Sequence, residues 1–399
     1  MLNNFEIRIG TQFIFGRNVV SQVGKRMRGM GIHRVLIHHD GGKFLYDSGI
    51  LNRIKESLQK EDIYSTELAG VRPNPRLSLV RKGIELAKRE KVDLIFAVGG
   101  GSVIDSAKAI AMGAATDDDV WDYFTGAKEP VNTLPVAAFV TYPAAGSESS
   151  AVAVINNAEE GKKLLVSNEI LRPAIAFMQP ELTSTLPDFL SACGIVDMFS
   201  HVCERYFSPD EEIGVIDRMA EGILKTIVAV GSKVLREPDN YSCRAELMWI
   251  ATIAQNNTVG IGRVQDWATH EIGNELSALY DVPHGATISI IMGAWMRYVY
   301  KKKPFRFCRY AKEVFDVKSE NRSDEEIAYE GILRTEEFFR GLGMPTSFKD
   351  FDIPTNGIED MLDRIAFRGT DDRIGGIVRL NRDDCRAIYT AAFENNEQQ

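Results

Sequence analysis

The segment FAVGGGSVIDSAKAIA, residues 96–111, restricts the fold of this 399-residue chain more than any other stretch. An apolar run ends in three glycines and a serine, and a segment with helical periodicity follows at once. Glycine lets a bound group approach the backbone without a Cβ clash, and the free amides of a helix N-terminus attract anions. The spacing differs from the GxGxxG and P-loop patterns. The segment predicts a buried strand, a tight turn and a helix, with room for a pyrophosphate at the turn.

The first half of the chain alternates short apolar runs with amphipathic helical segments. VLIHHD (35–40) and LPVAAFVTYP (134–143) are further buried-strand candidates, and 50–60 and 77–90 have apolar positions three or four residues apart. Strand and helix in alternation predict a parallel sheet. FEIRIGTQFIFG (5–16) alternates apolar and polar residues and predicts a hairpin or an edge strand.

The pattern changes after about residue 186. Long segments with helical periodicity follow, and strand-like runs become scarce. The sequence therefore predicts a Rossmann-like α/β domain over residues 1–185 and an all-α domain over 186–399. LTSTLP (182–187) offers hydroxyl caps for a first helix, and Pro187 suits a first helical turn.

Composition excludes several functions. The net charge of −9 disfavours nucleic acid as a partner, since phosphate binding needs a basic face. The N-terminus lacks a signal-peptide pattern, and no uncharged apolar stretch approaches 18 residues, so we expect a cytoplasmic protein without membrane contact. The five cysteines form no CxxC pair, which predicts buried free thiols.

Half of the six histidines fall in two short segments of the helical half. Asp197 and His201 are four residues apart, which places both on one helical face, although such a pair alone is usually an ordinary hydrogen bond. His270 and His284 follow in WATHEIGNELSALYDVPHG (267–285). Three neutral imidazoles and one carboxylate suit zinc or ferrous iron and leave an open position that polarises a substrate oxygen. The other histidines, near the first strand, are expected to pack or to be exposed.

Several long motifs, in one order along nearly the whole chain, resemble the iron-containing alcohol dehydrogenase family and its NAD(P)-dependent butanol dehydrogenase branch. The shared motifs are RPNP (72–75), GGGSVIDSAKAIA (99–111), WDYFTG (121–126), TYPAAGSES (141–149), TLPDFLSACGIVDMFSH (185–201), ATH (268–270) and HG (284–285).

The resemblance implies a dehydroquinate-synthase-like fold and a homodimer. It implies that the metal ligands are Asp197, His201, His270 and His284. It also implies cofactor contacts at Asn74, Gly99, Gly100, Gly101, Ser102, Asp105, Thr141, Tyr142, Ser147 and Lys163. Taken without the resemblance, Asp105 is equally an ordinary acid in a first helical turn, and Lys163 an ordinary solvated lysine.

Two positions depart from the family pattern. Many relatives have a histidine one turn after the third ligand, proposed to assist proton transfer, whereas this chain has Asn274, and an amide is not a general base at neutral pH. After the first strand, NADP-using relatives often have GGGS followed by lysines, whereas this chain has HHDGGKFLYDSG (38–49). Asp40 at the strand end would repel a 2′-phosphate and accept a ribose hydroxyl, so NAD is favoured over NADP, with Lys43 as the opposing feature.

The function predicted is reversible hydride transfer between a nicotinamide cofactor and a small primary alcohol or aldehyde, at a divalent metal for which ferrous iron is favoured over zinc. Trp267 and Phe124 are candidate pocket residues. Two alternatives stay open. One is a dehydroquinate-synthase-like enzyme with non-redox net chemistry, although a basic cluster for an anionic substrate is not evident. The other is a nucleotide- and metal-binding protein that has lost turnover, which Asn274 favours.

Overall fold

The computed structural model describes residues 3–210, 212, 214–280, 282–351, 354–367 and 371–394. The chain divides into two compact units. We call Arg8–Thr185 the α/β unit, and Leu186–Gln399 with Met1–Ile7 the helical unit.

The α/β unit is built on a six-stranded sheet in the order β1-β8-β5-β4-β2-β3, and all of its strand pairs are parallel. Its strands are β1 (Gln12–Phe15), β2 (Arg34–His39), β3 (Tyr64–Leu68), β4 (Leu94–Gly99), β5 (Val136–Val140) and β8 (Ile175–Met178). The strand that follows β2 along the chain, β3, lies at one edge of the sheet, whereas β5, which follows β4, lies on the opposite side of β4, toward the other edge. The switch in direction thus lies between β2 and β4, where open α/β sheets bind ligands beyond the carboxyl ends of the strands.

Alternate residues of the central strands enter two separate cores, one on each face of the sheet. Phe96 and Val98 of β4 join one core, while Ile95 and Ala97 join the other. This follows from the two-residue period of a strand. Both faces are apolar because helices cover both, which is why the strands read as continuous apolar runs.

The helices of the α/β unit connect successive strands. They are α1 (Val23–Gly29), α2 (Lys43–Asp47), α3 (Ile50–Gln59), α4 (Leu77–Glu90), α5 (Gly101–Ala114) and α6 (Val120–Thr125). The core that contains Phe96 includes residues of α1 to α3, and the core that contains Ile95 includes residues of α4 to α6.

A hairpin separates β5 from β8. Its antiparallel strands are β6 (Val152–Asn157) and β7 (Lys162–Ser167). The hairpin contacts α5, and Asn156 of β6 also forms a parallel bridge with Arg76 just before α4. The hairpin therefore reaches the turns beside the glycine segment.

The helical unit contains α7 to α15, and between residues 186 and 394 its described part has no named strand. Its helices are α7 (Asp188–Tyr206), α8 (Val215–Arg236), α9 (Tyr241–Gln255), α10 (Ala268–Tyr280), α11 (His284–Val299), α12 (Pro304–Phe315), α13 (Asp324–Gly341), α14 (Ile358–Arg364) and α15 (Arg382–Glu394). Every residue of α7 from Ser191 to Tyr206 is buried, because α8, α9, α10 and α11 all pack against it. No helix of the described residues is long and apolar enough to cross a membrane.

The predicted fold class is confirmed, and the predicted helix at 77–90 has the bounds of α4. Within 5–16 only Gln12–Phe15 is a strand, and it is a parallel edge strand rather than half of a hairpin. A helix begins near Pro187 as predicted, but Pro187 immediately precedes α7 instead of lying in its first turn, and none of the hydroxyls in 182–187 caps the helix. All five cysteines are free and buried.

Candidate functional site

Helix α7, which is buried from Ser191 to Tyr206, carries the first two members of a cluster of one carboxylate and three imidazoles. Asp197 and His201 are each 4% exposed. Their four-residue spacing places them on one helical face, and Asp197 Oδ1 lies 3.7 Å from His201 Nε2. Placing an acid and an imidazole in an apolar helix costs free energy unless another group compensates them.

Two further imidazoles come from the first turns of α10 and α11. His270 Nε2 and His284 Nε2 each lie 3.5 Å from Asp197 Oδ1. The rings of His201 and His270 stack with their centroids 4.6 Å apart, and the His270 and His284 centroids are 5.1 Å apart. The structure therefore brings together all four residues that the sequence nominated as metal ligands.

The distances suit a shared cation better than hydrogen bonds. Ligands bonded at 2.0–2.2 Å in a tetrahedral shell lie roughly 3.4 Å apart, close to the separations found here. The ligand atoms of Asp197, His201 and His270 lie within 4.8 Å of one another. Among the described residues, Asp197 Oδ1 and His270 Nε2 are buried without a hydrogen-bond partner. Such orphaned atoms are explained by a bound ion, so the residues present fit a divalent metal.

Burial and neighbouring charges have opposite effects on the pKa values of the residues in this cluster. Burial alone would raise the pKa of Asp197, but the imidazoles, His201 first, hold that pKa well below its ordinary value. Burial lowers the pKa of His201 well below 6.5. Burial also opposes charge on His270, yet the carboxylates of Glu204 and Asp197 raise its pKa to about 9. The cluster thus holds an ionised carboxylate and attracts positive charge to its centre.

Neighbouring side chains supply no sulfur ligand to the cluster and pack against its imidazoles. Burial raises the pKa of Cys193, one turn before Asp197, to about 12, so it stays a thiol rather than a metal-binding thiolate. The Trp267 ring lies within 6 Å of both the His201 and the His270 ring. Phe124, the other pocket candidate, is buried in the α/β unit and stacks on Trp121.

Glu204 is a residue of this site that the sequence reasoning missed. It is fully buried, and it accepts a 2.9 Å hydrogen bond from the backbone N–H of His270. The signal was present, because Glu204 lies three residues after His201 and so shares its helical face. Asp266 was also missed: it is buried and accepts hydrogen bonds from the amides of Ala268, Gly376 and Ile377, which anchors the start of α10.

The glycine turn of the α/β unit connects β4 to α5. A Cβ at Gly99 would lie 2.5 Å from Val103 Cγ2, and one at Gly100 would lie 3.2 Å from Tyr142. The amides of Val103 and Ile104 both donate to the Gly100 carbonyl. The first amides of α5, at Gly101 and Ser102, precede the point where helical acceptors become available, and such amides favour an anion.

Asp105 and Ser147 form a buried hydrogen-bond network with Lys108. The sequence analysis did not identify Lys108 as part of this site. Ser147 Oγ donates to Asp105 Oδ1 at 2.5 Å, and Lys108 Nζ donates to Ser147 Oγ at 2.9 Å. The other Asp105 oxygen accepts from the Val154 amide at 3.0 Å. Burial raises the pKa of Asp105 and lowers that of Lys108 to about 8. This network fastens α5 to the hairpin and to the segment that carries Ser147.

The remaining cofactor candidates lie along the same edge of the α/β unit. The Thr141 amide donates to the Gly99 carbonyl, and the charge of Lys163 on β7 acts on Asp105. Asn74 has a left-handed backbone with φ of 56°, and the next residue accepts the amide of Asn156. Because His39 pairs with Val98, Asp40 leaves β2 level with the glycine turn after β4.

An open nitrogen-and-oxygen ligand set in one unit, and a glycine-ended parallel sheet in the other, are the features of a metal-dependent enzyme that binds a nucleotide, the class to which metal-dependent dehydrogenases belong. Comparison with known proteins agrees. The family described as iron-containing alcohol dehydrogenase matches residues 10–180, and the C-terminal part of the Fe-containing alcohol dehydrogenase family matches residues 191–393.

Individual relatives match over the full length. A probable NADH-dependent butanol dehydrogenase of Bacillus subtilis is 36% identical over 392 residues, covering 98% of this chain and 100% of that protein. The structure of NADH-dependent butanol dehydrogenase A from Thermotoga maritima has a TM-score of 0.93 at 37% identity, covering 98% of this chain and 99% of that one. An NADPH-dependent aldehyde reductase of Escherichia coli is 35% identical over 394 residues, covering 98% and 100%.

The chain therefore belongs to the iron-containing alcohol dehydrogenase family. It is an NAD(P)-dependent alcohol oxidoreductase that uses a metal and a nicotinamide cofactor. The relatives reported above are all named as dehydrogenases or reductases, and none of these names describes the non-redox chemistry left open by the sequence.

Proposed function

We propose that the protein interconverts small aldehydes and primary alcohols with NADH and NAD⁺ at a ferrous centre held by Asp197, His201, His270 and His284. The observation that carries the proposal is the position of Asp197 Oδ1, which lies 3.5–3.7 Å from three imidazole nitrogens. When bound, the cation supplies a Lewis acid for the substrate oxygen, and the nicotinamide supplies or accepts the hydride.

The residues of the helical unit hold and shield this chemistry. One carboxylate and three neutral imidazoles leave a divalent cation with a net charge of about +1, which retains its pull on a substrate oxygen. Because Asp197 and His201 are almost fully buried, electrostatic effects at the centre are stronger than in water. His284, whose side chain is 33% exposed, is the most accessible of the four.

The α/β unit, corresponding to residues 1–185 of the sequence prediction, is proposed as the nucleotide-binding domain, and 186–399 as the metal-binding domain. The amides of Gly101 and Ser102 would receive the pyrophosphate. The other proposed contacts are those at Asn74, Gly99, Gly100, Asp105, Thr141, Tyr142, Ser147 and Lys163. Both Asp105 oxygens already accept hydrogen bonds within the protein, so we assign Asp105 mainly to shaping the cradle.

NAD is favoured over NADP by the acidic end of β2. Asp40 is exposed, and its Oδ1 accepts the amide of Gly42 at 2.8 Å, which fixes the carboxylate beside the turn. Glu67 lies near the end of the neighbouring edge strand, where Lys55 neutralises it at 2.6 Å. A carboxylate at Asp40 would accept a ribose hydroxyl and repel a 2′-phosphate.

The experiment that tests the function follows absorbance at 340 nm while purified protein acts on butyraldehyde. Samples loaded anaerobically with Fe²⁺ or with Zn²⁺ are each given NADH and then NADPH. We expect oxidation of NADH in the iron-loaded sample and slower oxidation of NADPH. Failure of both coenzymes with both metals would remove the proposal. We also propose that the protein is cytoplasmic and forms a homodimer. Light scattering coupled to gel filtration tests the homodimer, because it measures the molar mass.

A further inference from the structure

One face of α7 carries three ionisable groups in succession. Asp197, His201 and Glu204 are separated by four and then three residues, so each lies about one helical turn beyond the last. The first two are proposed metal ligands. Glu204 has no exposed surface, and among the described residues its only ion-pair contact is with His270.

The Glu204 carboxylate holds His270 at two points. One oxygen accepts the His270 backbone N–H at 2.9 Å, and the other is hydrogen-bonded to His270 Nδ1. In addition, the Glu204 carbonyl accepts the amide of Asp266 at 2.8 Å. Glu204 thereby fixes both the backbone at the start of α10 and the plane of the His270 ring.

The contact also determines which nitrogen of the His270 ring carries hydrogen. An ionised carboxylate accepts hydrogen bonds and donates none, so Nδ1 must carry the hydrogen. In a neutral ring the lone pair then lies on Nε2, the nitrogen 3.5 Å from Asp197 Oδ1. Only a nitrogen with a free lone pair can bind a metal.

The buried Glu204 carboxylate requires a compensating positive charge. Removing a carboxylate from water costs several kcal/mol unless an opposite charge compensates it. The adjacent Arg205 is hydrogen-bonded to His201 O and to Gln255 instead. The positive charge beside the carboxylate is therefore that of the His270 ring, and a divalent cation on Nε2 would take the place of the ring proton there.

We propose that Glu204 is a positioning residue that sets the tautomer and orientation of His270 and so raises the affinity of the centre for its metal. The inference rests on the metal centre proposed above. A carboxylate that holds a ligating histidine typically changes metal affinity 10–100-fold.

The test compares Glu204→Gln with wild type. Glutamine is nearly the same size and can still accept one N–H, but its amide group donates toward Nδ1 and favours hydrogen on Nε2. We expect the apo variant to unfold at nearly the wild-type temperature and to bind NADH equally. Its affinity for Fe²⁺, Zn²⁺ and Co²⁺, measured by competition with a chromophoric chelator, should fall about 10–100-fold. The visible absorption of the Co²⁺ form should change as well.

Glu336→Gln is the matched control. Glu336 is also a buried acid of the helical unit, but it pairs with Arg297 at 2.6 Å rather than with a histidine. We expect this variant to lose stability and to keep wild-type metal affinity. Glu204→Asp, which keeps an acceptor-only side chain, should recover part of the affinity lost in Glu204→Gln.

A second measurement remains decisive if Glu204→Gln fails to fold. Nitrogen-15 spectra of histidine-labelled apo wild type, with His270 assigned by its loss in His270→Ala, should show hydrogen on Nδ1. Absence of hydrogen from Nδ1, or wild-type affinity in a folded Glu204→Gln, would overturn the proposal. If the wild type binds no metal, the proposed function is refuted instead. The nitrogen-15 spectrum of His270 would then still show whether Glu204 holds hydrogen on Nδ1.

Discussion

Asp197 Oδ1 lies 3.5 Å from His270 Nε2, and neither atom has a hydrogen-bond partner within the described part of the chain. Two complementary groups that are buried, close to each other and without a hydrogen-bond partner indicate a binding site for a cation between them. Removing either group should therefore weaken metal binding more than it weakens the fold.

His270→Ala should abolish turnover and largely preserve NADH binding. The variant loses one of four ligands, whereas the proposed pyrophosphate cradle lies in the α/β unit. Elemental analysis should show a lower metal content, while NADH fluorescence titration should give a dissociation constant near that of wild type. Equal loss of metal and of NADH would contradict the assignment of the two functions to separate units.

Asn274→His should raise the rate of alcohol oxidation near neutral pH. Asn274 lies one turn after His270 on α10 and is partly buried, and imidazole can take up the proton that an amide cannot. We expect kcat to rise about tenfold or more, since a well-placed general base contributes 10²–10⁴-fold. Asn274→Gln is the control, and a similar kcat for both variants would show that proton transfer does not limit turnover.

Asp40→Ser should shift coenzyme preference toward NADPH. The substitution removes the carboxylate at the end of β2 that would repel a 2′-phosphate. We expect kcat/KM to rise about tenfold with NADPH and to fall with NADH, which corresponds to about 1.4 kcal/mol in each direction. Steady-state kinetics with both coenzymes checks this, and Glu67→Gln serves as a neighbouring control. An unchanged ratio of the two kcat/KM values would place coenzyme selection elsewhere.

Gly99→Ala should distort the glycine turn, because the added Cβ would clash sterically with Val103. The new Cβ would lie 2.5 Å from Val103 Cγ2 and 2.8 Å from Val103 Cβ, and overpacking of this kind costs about 1–3 kcal/mol. Thermal unfolding should occur at a lower temperature, and NADH should bind more weakly. The double variant Gly99→Ala with Val103→Ala should recover much of both losses. If it does not, the requirement for glycine has another cause.

His38 should make stability depend on pH between about 6.5 and 4. The ring is fully buried, with Nδ1 2.9 Å from Leu68 O and Nε2 2.8 Å from Ser106 Oγ. Burial lowers its pKa to about 4 from 6.5. In that interval the unfolded chain binds more protons than the folded one, so the free energy of unfolding falls as pH falls, by up to about 3 kcal/mol.

Urea unfolding of wild type and His38→Gln at pH 7, 5.5 and 4.5 measures this dependence. The variant is expected to be less stable at pH 7, where the histidine contacts are intact, and to lose less stability on acidification. Parallel curves for the two proteins would show that other groups dominate.

The fold was largely predictable because its signals are local. The helix at 77–90 was predicted at its full extent, since a strong apolar stripe and polar flanks define both ends. The segment 5–16 was harder, because whether an alternating stretch pairs, and with which strand, depends on a distant partner. Here that partner is β8, more than 150 residues away.

The four proposed metal ligands were identified by residue type and spacing, and the structure brings them together. Glu204 and Lys108 were not identified. Glu204 does share the helical face of His201, but an acid or a lysine three residues from another polar residue is common on helices and does not by itself indicate a site. Their importance comes from burial and from partners such as His270 and Ser147. These are properties of tertiary packing, which a single sequence does not display.

The regular spacing of Asp197, His201 and Glu204 makes α7 sensitive to its length as well as to its composition. Adding or deleting one residue between positions 197 and 204 would rotate everything beyond it by about 100°. Glu204 would then face away from His270, although every side chain would still be present. Functional variants of this chain should therefore contain no insertion or deletion within that interval.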